Sequence, residues 1–155
     1  MVHLAIQNQS TIKRLYKRAT LQNLAETICQ GEELQEDAEL SVLFCDDPFI
    51  KELNHQYRNK NQATDVLSFE QEPTPGLEGP RVLGDIVISL ETIQRRCQQQ
   101  RSVMTAELKL LFCHGLLHLL GHDHASKKDK EHMQQLQAHY LGCTPEAAWI
   151  ADKAS

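Results

Sequence analysis

The sequence lacks a long apolar run, an excess of positive charge and a large share of aromatic side chains. Its 155 residues are 41% hydrophobic but only 5% aromatic, and no apolar run approaches the roughly 18 residues that a membrane-spanning helix needs. The first residues also lack the basic and apolar segments of a secretory signal, so we expect a cytoplasmic protein without membrane contact. Because the net charge is -5, nucleic-acid binding requires a local basic patch, and we expect no DNA binding.

The chain also lacks a regular cysteine pattern. Its five cysteines are an odd number without C-x-x-C spacing, which argues against a disulfide framework and against a thiolate zinc site. We expect reduced thiols in or near the core. Cys113 is followed by His114, but adjacent helical residues point about 100° apart. We therefore do not expect Cys113 and His114 to act together as a thiolate nucleophile and its base.

The length and the order of apolar patterns predict the fold. A chain of 155 residues has the usual size of one domain, and we expect residues 1–155 to form a single domain. Strand patterns occur in "VHLAIQ", "ELSVLFC", "VLSFE" and "VLGDIVIS", with helical patterns between and after them. We predict an α+β fold with a mixed sheet of about four strands packed against helices.

One helix is predicted to lie in the middle of this fold. The segment from about Thr105 to Leu120 is apolar almost all round, as in a helix that is buried on every side. The other predicted helix boundaries are the caps Asp47, Ser89 and Ser126 and the stops Gly31 and Gly121.

The segment "KRLYKR", Lys13 to Arg18, is the candidate basic patch, with Tyr16 among the cations. Two interpretations are open. The segment is either a local RNA-binding surface or an ordinary solvent-exposed face of a helix.

Four of the eight histidines lie in "HGLLHLLGHDH", His114 to His124. This stretch matches the metzincin protease motif H-E-x-x-H-x-x-G-x-x-H at every fixed position except Gly115. On a helix, His114 and His118 lie about 40° apart around the axis and about 6 Å apart along it. Gly121 allows the chain to reverse and bring back His124. We predict one zinc ion on His114, His118 and His124, with a fourth position open as in catalytic sites.

The missing glutamate argues against peptide cleavage, because Gly115 cannot take a proton from metal-activated water. A phosphodiester instead needs a cation and a second positive group near the phosphate. Arg58, in "YRNK", is a candidate for that group, and the alternative is an exposed arginine at a helix end. His122 is the first candidate for a general acid or base. Asp123 either orients a ligand or caps the next turn.

The segments "YRNKNQATDVLSF", "LGDIVIS" and "HGLLHLLGHDH" together resemble the YbeY family of bacterial endoribonucleases. The resemblance runs from about Tyr57 to His124 and implies a zinc-dependent nuclease that cleaves single-stranded RNA. It also implies maturation of the 3' end of small-subunit ribosomal RNA, ribosome quality control, and the ribosome with its small-subunit proteins as partners. Arg58 is implied to lie in the substrate groove. Ala63 and Glu70 stand where the family commonly has proline.

Our prediction is a zinc-dependent endoribonuclease in which His114, Arg58 and His122 take part in catalysis. Two other classes are open. One is a non-catalytic ribosome-assembly factor in which zinc only holds the fold. The other is a metallohydrolase of another substrate class, which requires that a carboxylate such as Asp85 or Glu70 reaches the metal-activated water. For RNA cleavage, the nucleophile is either water or the 2'-hydroxyl of the RNA.

Overall fold

Four strands and five helices follow one another in the computed structural model, which describes residues 1–72, 76 and 78–148. The strands are β1 (Val2–Asn8), β2 (Ala38–Cys45), β3 (Val66–Glu70) and β4 (Arg81–Ser89). The helices are α1 (Arg18–Gly31), α2 (Asp47–Arg58), α3 (Leu90–Arg96), α4 (Arg101–Leu119) and α5 (Lys127–Leu141).

The strands form one mixed sheet in the order β1-β2-β4-β3. β1, β2 and β4 run parallel, and β3 pairs with β4 in the antiparallel direction. Parallel neighbours need a crossover connection. Helix α1 provides the crossover between β1 and β2, while α2 and β3 lie between β2 and β4 in the chain. The predicted α+β fold with a mixed sheet of about four strands is confirmed.

The main core lies between one face of this sheet and the helices. Side chains from alternate positions of β1, β2 and β4 point into it, among them the fully buried Leu40, Phe44 and Ile86. Helix α4 runs through the middle and packs against β3, β4 and helices α1, α3 and α5. The predicted central helix is therefore confirmed, although it begins at Arg101 and ends at Leu119.

The opposite face of the sheet is only partly covered. Helix α2 packs there over a small apolar cluster built from Cys45, Ile50, Leu67 and Val87. The rest of this face is uncovered and forms an open depression of about 540 Å³.

The predicted helix caps are mostly confirmed. The Ser89 hydroxyl accepts a hydrogen bond from the Thr92 amide at 3.2 Å, and the Ser126 hydroxyl accepts one from the Asp129 amide at 3.0 Å. The cap of α2 is Asp46 rather than Asp47. Asp47 is the first helical residue, and its carboxylate binds side chains of α3 instead of capping its own helix.

Gly31 differs from its predicted role. Helix α1 does end at Gly31, but the left-handed residue that follows is Glu33, with φ 62°. Gly31 is needed for close packing, because a Cβ there would lie 2.5 Å from the hydroxyl oxygen of Tyr140. The glycine thus lets α5 approach α1.

The basic segment Lys13 to Arg18 does not form a helix face, so that interpretation is wrong. The chain is irregular up to α1, Arg14 has φ 60°, and the side chain of Leu15 is buried in the core. RNA contact by the exposed cations stays a prediction. None of the described helices is both long and apolar enough to cross a bilayer.

Candidate metal centre

The carboxyl-terminal part of α4 and the loop after it bring three histidine rings together. His114 and His118 lie one helical turn apart, and their Nε2 atoms are 3.1 Å from each other. The ring centre of His124 lies 5.2 Å from that of His114 and 4.9 Å from that of His118. One nitrogen from each ring lies within 4.8 Å of the others. The three predicted ligands are therefore adjacent.

The reversal that returns His124 is made at Gly121. This residue has φ 103°, which glycine adopts without a steric penalty. The amides of Gly121 and His122 donate to the carbonyls of His118 and Leu117, both at 3.0 Å. They thereby satisfy the last carbonyls of α4.

Asp123 holds the backbone at the third histidine. Its carboxylate accepts a hydrogen bond from the His124 amide at 2.7 Å. The cap of α5 is Ser126, so Asp123 supports the segment that carries the ligand.

His114 is oriented by Gln137 from α5. The Nδ1 atom of His114 lies 2.8 Å from the amide oxygen of Gln137, and the amide nitrogen of Gln137 donates to the carbonyl of Ala148 at 2.6 Å. Because the Gln137 oxygen can only accept, Nδ1 carries the proton and Nε2 keeps a free lone pair. Gln137 was missed in the sequence. The available signal was a polar residue on the buried stripe of α5, between Met133 and Tyr140.

Burial favours the neutral form of His114 and His118. It lowers the pKa of His114 to about 3, and the neighbouring His118 adds to this effect. The pKa of His118 is also lowered, first by burial and then by His124. Neutral imidazole is the form that binds a metal ion. Three imidazoles around one point are a donor set that suits zinc, so the residues fit the predicted ion.

A groove of about 560 Å³ opens beside the histidines. It lies between the end of α4, strand β3 and the end of α2. Its lining consists of Tyr57, Arg58, Val66, Leu67, Ser68, Phe69, Glu70, His114, His118, Leu119, Asp123 and His124.

Arg58 lies in this groove with the histidines. Its guanidinium donates to the Ser68 carbonyl at 2.8 Å and lies 5.8 Å from the ring centre of Phe69. Its charge contributes to the lowered pKa of His118, after burial and His124. Arg58 therefore brings a positive charge into the groove that the histidines line.

Gly115 faces the sheet rather than the groove. A Cβ at this position would lie 2.9 Å from Cγ2 of Ile86 and 3.1 Å from the hydroxyl of Ser68. That hydroxyl also donates to the Gly115 carbonyl at 3.3 Å. No room exists here for the glutamate of a zinc peptidase, because the strands pack directly against the helix.

Of His122, Glu70 and Asp85, only Glu70 lies in the same groove as the three histidines. The His122 ring hydrogen-bonds to the Glu32 carboxylate and lies 5.6 Å from the His132 ring centre, outside the lining of the groove. Glu70 lines the groove, whereas Asp85 lines the separate open depression on the uncovered face of the sheet. Of the two carboxylates, only Glu70 is therefore near the candidate metal centre.

Comparison with known sequences gives consistent matches. Proteins named endoribonuclease YbeY from Myxococcus xanthus and Anaeromyxobacter sp. are 44% identical over 115 residues and 49% identical over 102 residues. These alignments cover 74% and 66% of this chain but only 38% and 52% of the relatives. The Bacillus mycoides protein of the same name is 40% identical over 120 residues, covering 73% of this chain and 77% of its own.

The fold and the family model agree with these matches. The solution structure of TM1509 from Thermotoga maritima superposes with a TM-score of 0.56 at 25% identity, covering 96% of this chain and 89% of that one. The family model for endoribonuclease YbeY matches residues 4–143, which include Arg58 and all three clustered histidines. The chain therefore belongs to the endoribonuclease YbeY family.

Proposed function

We propose that the chain is a single zinc-dependent endoribonuclease domain that cleaves single-stranded RNA. One observation carries this proposal: three clustered imidazoles and the guanidinium of Arg58 line the same groove. The three nitrogens suit one zinc ion and leave a further coordination position free for substrate or water. Arg58 matches the anionic phosphate.

The histidines and Arg58 would have different roles in the cleavage of a phosphodiester. His114, His118 and His124 would hold zinc, which when bound supplies Lewis-acid polarisation at a phosphate oxygen. Arg58, held by the Ser68 carbonyl, would bind a non-bridging oxygen and stabilise the charge that grows during cleavage. The phosphate is thereby fixed between the imidazoles and the guanidinium.

The aromatic side chains beside Arg58 favour an unpaired strand. Tyr57 is 60% exposed and packs edge-on against Phe69 at 5.3 Å between ring centres. An exposed ring next to a phosphate site can stack on an unpaired base, which contributes about 1–3 kcal/mol per base. Bases in a duplex are not available for such stacking.

The natural substrate that we propose is the 3' end of small-subunit ribosomal RNA, in the cytoplasm. The support is membership of the endoribonuclease YbeY family and the chemistry of the groove. The ribosome and its small-subunit proteins are the partners that follow, and ribosome quality control is the proposed setting.

The first test compares wild type with His114→Ala and Arg58→Ala on end-labelled single-stranded RNA, with bound metal quantified. Wild type should carry about one zinc ion, and chelation should abolish cleavage. Arg58→Ala should keep its zinc and lose about 10²–10³-fold in cleavage rate. Arg81→Ala, at the start of β4, is the matched arginine control and should cleave normally.

Other results would contradict this function. Tight RNA binding without cleavage by a folded, zinc-loaded wild type would favour the non-catalytic assembly factor. Equal cleavage by all the proteins would reveal a contaminating nuclease. The product ends also identify the nucleophile, because a 2',3'-cyclic phosphate excludes direct attack by water.

A further inference from the structure

Glu32, just after α1, links three parts of the molecule. Its carboxylate hydrogen-bonds to the His122 imidazole in the loop after α4 and accepts a hydrogen bond from the Tyr140 hydroxyl in α5. These partners are 90 and 108 residues away in the chain. Both oxygens of one carboxylate are therefore used to connect distant elements.

The contact is partly shielded from water. The side chains of His122 and Glu32 are only 26% and 16% exposed. Burial alone would raise the pKa of Glu32, but the hydrogen bonds from Tyr140 and His122 outweigh it and lower that pKa. Gly31 leaves the space that the Tyr140 ring occupies. The carboxylate is thus a charged, pre-placed acceptor.

The loop that Glu32 contacts carries a metal ligand. His122 is separated from His124 by a single residue. Other hydrogen bonds tie the ends of this loop to its flanking helices, through Gly121 and His122 to α4 and through Ser126 to α5, or run from the His124 amide to Asp123 within the loop. The bond to Glu32 attaches the loop to a different element, so it fixes the loop against the rest of the molecule.

We propose that Glu32 is a positioning residue for the metal centre: it holds His122, and through it the loop, so that His124 lies beside His114 and His118. The inference rests on the proposed metal centre. Without this contact, the loop must be ordered when the metal binds, and that cost lowers metal affinity.

Zinc affinity of the apoprotein tests the proposal directly, by competition with a chromogenic chelator. Glu32→Ala and His122→Ala should each weaken zinc binding by about tenfold, the low end of the effects of residues that support ligands. The double variant should be no weaker than either single one, because both remove the same contact. Glu33→Gln is the control, since it removes the charge of the adjacent, exposed glutamate.

A second measurement separates positioning from general stability. Urea unfolding of each zinc-free variant reports the stability that is lost without metal. At saturating zinc, Glu32→Ala should cleave RNA at the wild-type rate, whereas Arg58→Ala should not recover. If Glu32→Ala does not fold, Glu32→Gln serves instead, because it keeps the shape and an acceptor oxygen and should give a smaller loss of affinity.

Two results would overturn the inference. One is an unchanged zinc affinity in Glu32→Ala while its zinc-free form loses stability. The other is a roughly hundredfold loss in the double variant, which would mean that the two residues act independently. A wild type that binds no zinc would instead remove the metal centre on which the proposed function rests. If the wild type binds zinc and cleaves RNA normally, the proposed function stands even when the proposal for Glu32 does not.

Discussion

Gln137 shows how one side chain can set the tautomer of His114, a predicted metal ligand. It is 2% exposed and joins the His114 ring to the backbone of Ala148. Replacing it removes the acceptor that keeps the proton on Nδ1 of His114. The ring is then free to rotate or to change tautomer, and both changes compete with metal binding.

We therefore expect Gln137→Ala to lower zinc affinity by about 10–100-fold, measured by chelator competition. Gln134→Ala is the matched control. Gln134 lies on the same helix and donates to the Pro145 carbonyl, but it has no hydrogen bond to a histidine among the described contacts. Equal zinc affinities for the two variants would refute a role of Gln137 in orienting His114.

Close packing around Gly115 explains why this position does not carry the glutamate of zinc peptidases. Alanine is the better helix former by about 1 kcal/mol, yet its Cβ would press against the fully buried Ile86. Overpacking of this kind costs about 1–3 kcal/mol. We expect Gly115→Ala to lower the free energy of unfolding in urea, with exposed Ser102→Ala in the same helix as control. A more stable Gly115→Ala variant would show that the sheet can move aside.

At the scale of elements, Asp47 joins the starts of α2 and α3. One of its oxygens accepts hydrogen bonds from the hydroxyls of Ser89 at 2.7 Å and Thr92 at 2.5 Å. The other oxygen pairs with Arg95 at 2.7 Å. Burial would raise the pKa of Asp47, but these interactions outweigh it and lower that pKa.

Asp47→Asn should reduce the free energy of unfolding by about 1–3 kcal/mol at neutral pH. Because the folded-state pKa of Asp47 is lowered, its stabilisation is present above the unfolded-state pKa. It disappears as the pH falls through the folded value. The difference between wild type and variant in urea should therefore shrink on acidification. Asp37→Asn, an exposed aspartate, serves as control, and a difference that grows at low pH would contradict the assignment.

At the scale of the whole molecule, the reactivity of the cysteine thiols measures how well the core excludes solvent and reagents. Cys29, Cys45, Cys97 and Cys113 are buried, and Cys143 is exposed, so the predicted place in the core holds for four of the five. Burial raises the pKa of Cys29 to about 11 and those of Cys45 and Cys113 to about 12. A thiol must ionise to react.

The native, zinc-free protein should therefore have one fast thiol at pH 8, and all five should react in denaturant. A chromogenic disulfide reagent counts them. Cys143→Ser should remove the fast phase. Two or more fast thiols in the native wild type would mean that the core opens more readily than its packing indicates.

The parts of this molecule that the sequence predicts are the ones encoded by local spacing. Helical periodicity places His114 beside His118, and the glycine at 121 returns His124, so the metal ligands are readable within one short segment. Gln137 and Glu32 depend on contacts across 23 and 90 residues, which no local pattern contains. Their roles needed the packing of α5 and α1 against α4.

The helix-face interpretation of the basic segment Lys13 to Arg18 was wrong for the same physical reason, because local patterns do not contain long-range contacts. Its charges favour a solvated helix face, but burial of Leu15 holds the chain in an irregular path before α1. Tertiary packing decided the conformation against the local pattern. Arg58 is an intermediate case, since chemistry suggests the residue but only the position of β3 beside α4 brings it to the groove.

The short segment that holds the three histidines, eleven residues from His114 to His124, also bears on how the protein matures. The entropy lost on closing a chain segment is smallest for short segments, and His114, His118 and His124 are close neighbours in sequence. We therefore expect that a metal ion at the proposed centre would gather the three histidines while the sheet is still unformed. Arg58 joins only when β3 and α4 have packed. Under the proposed function, a newly made chain would therefore bind its ion before it could hold a substrate.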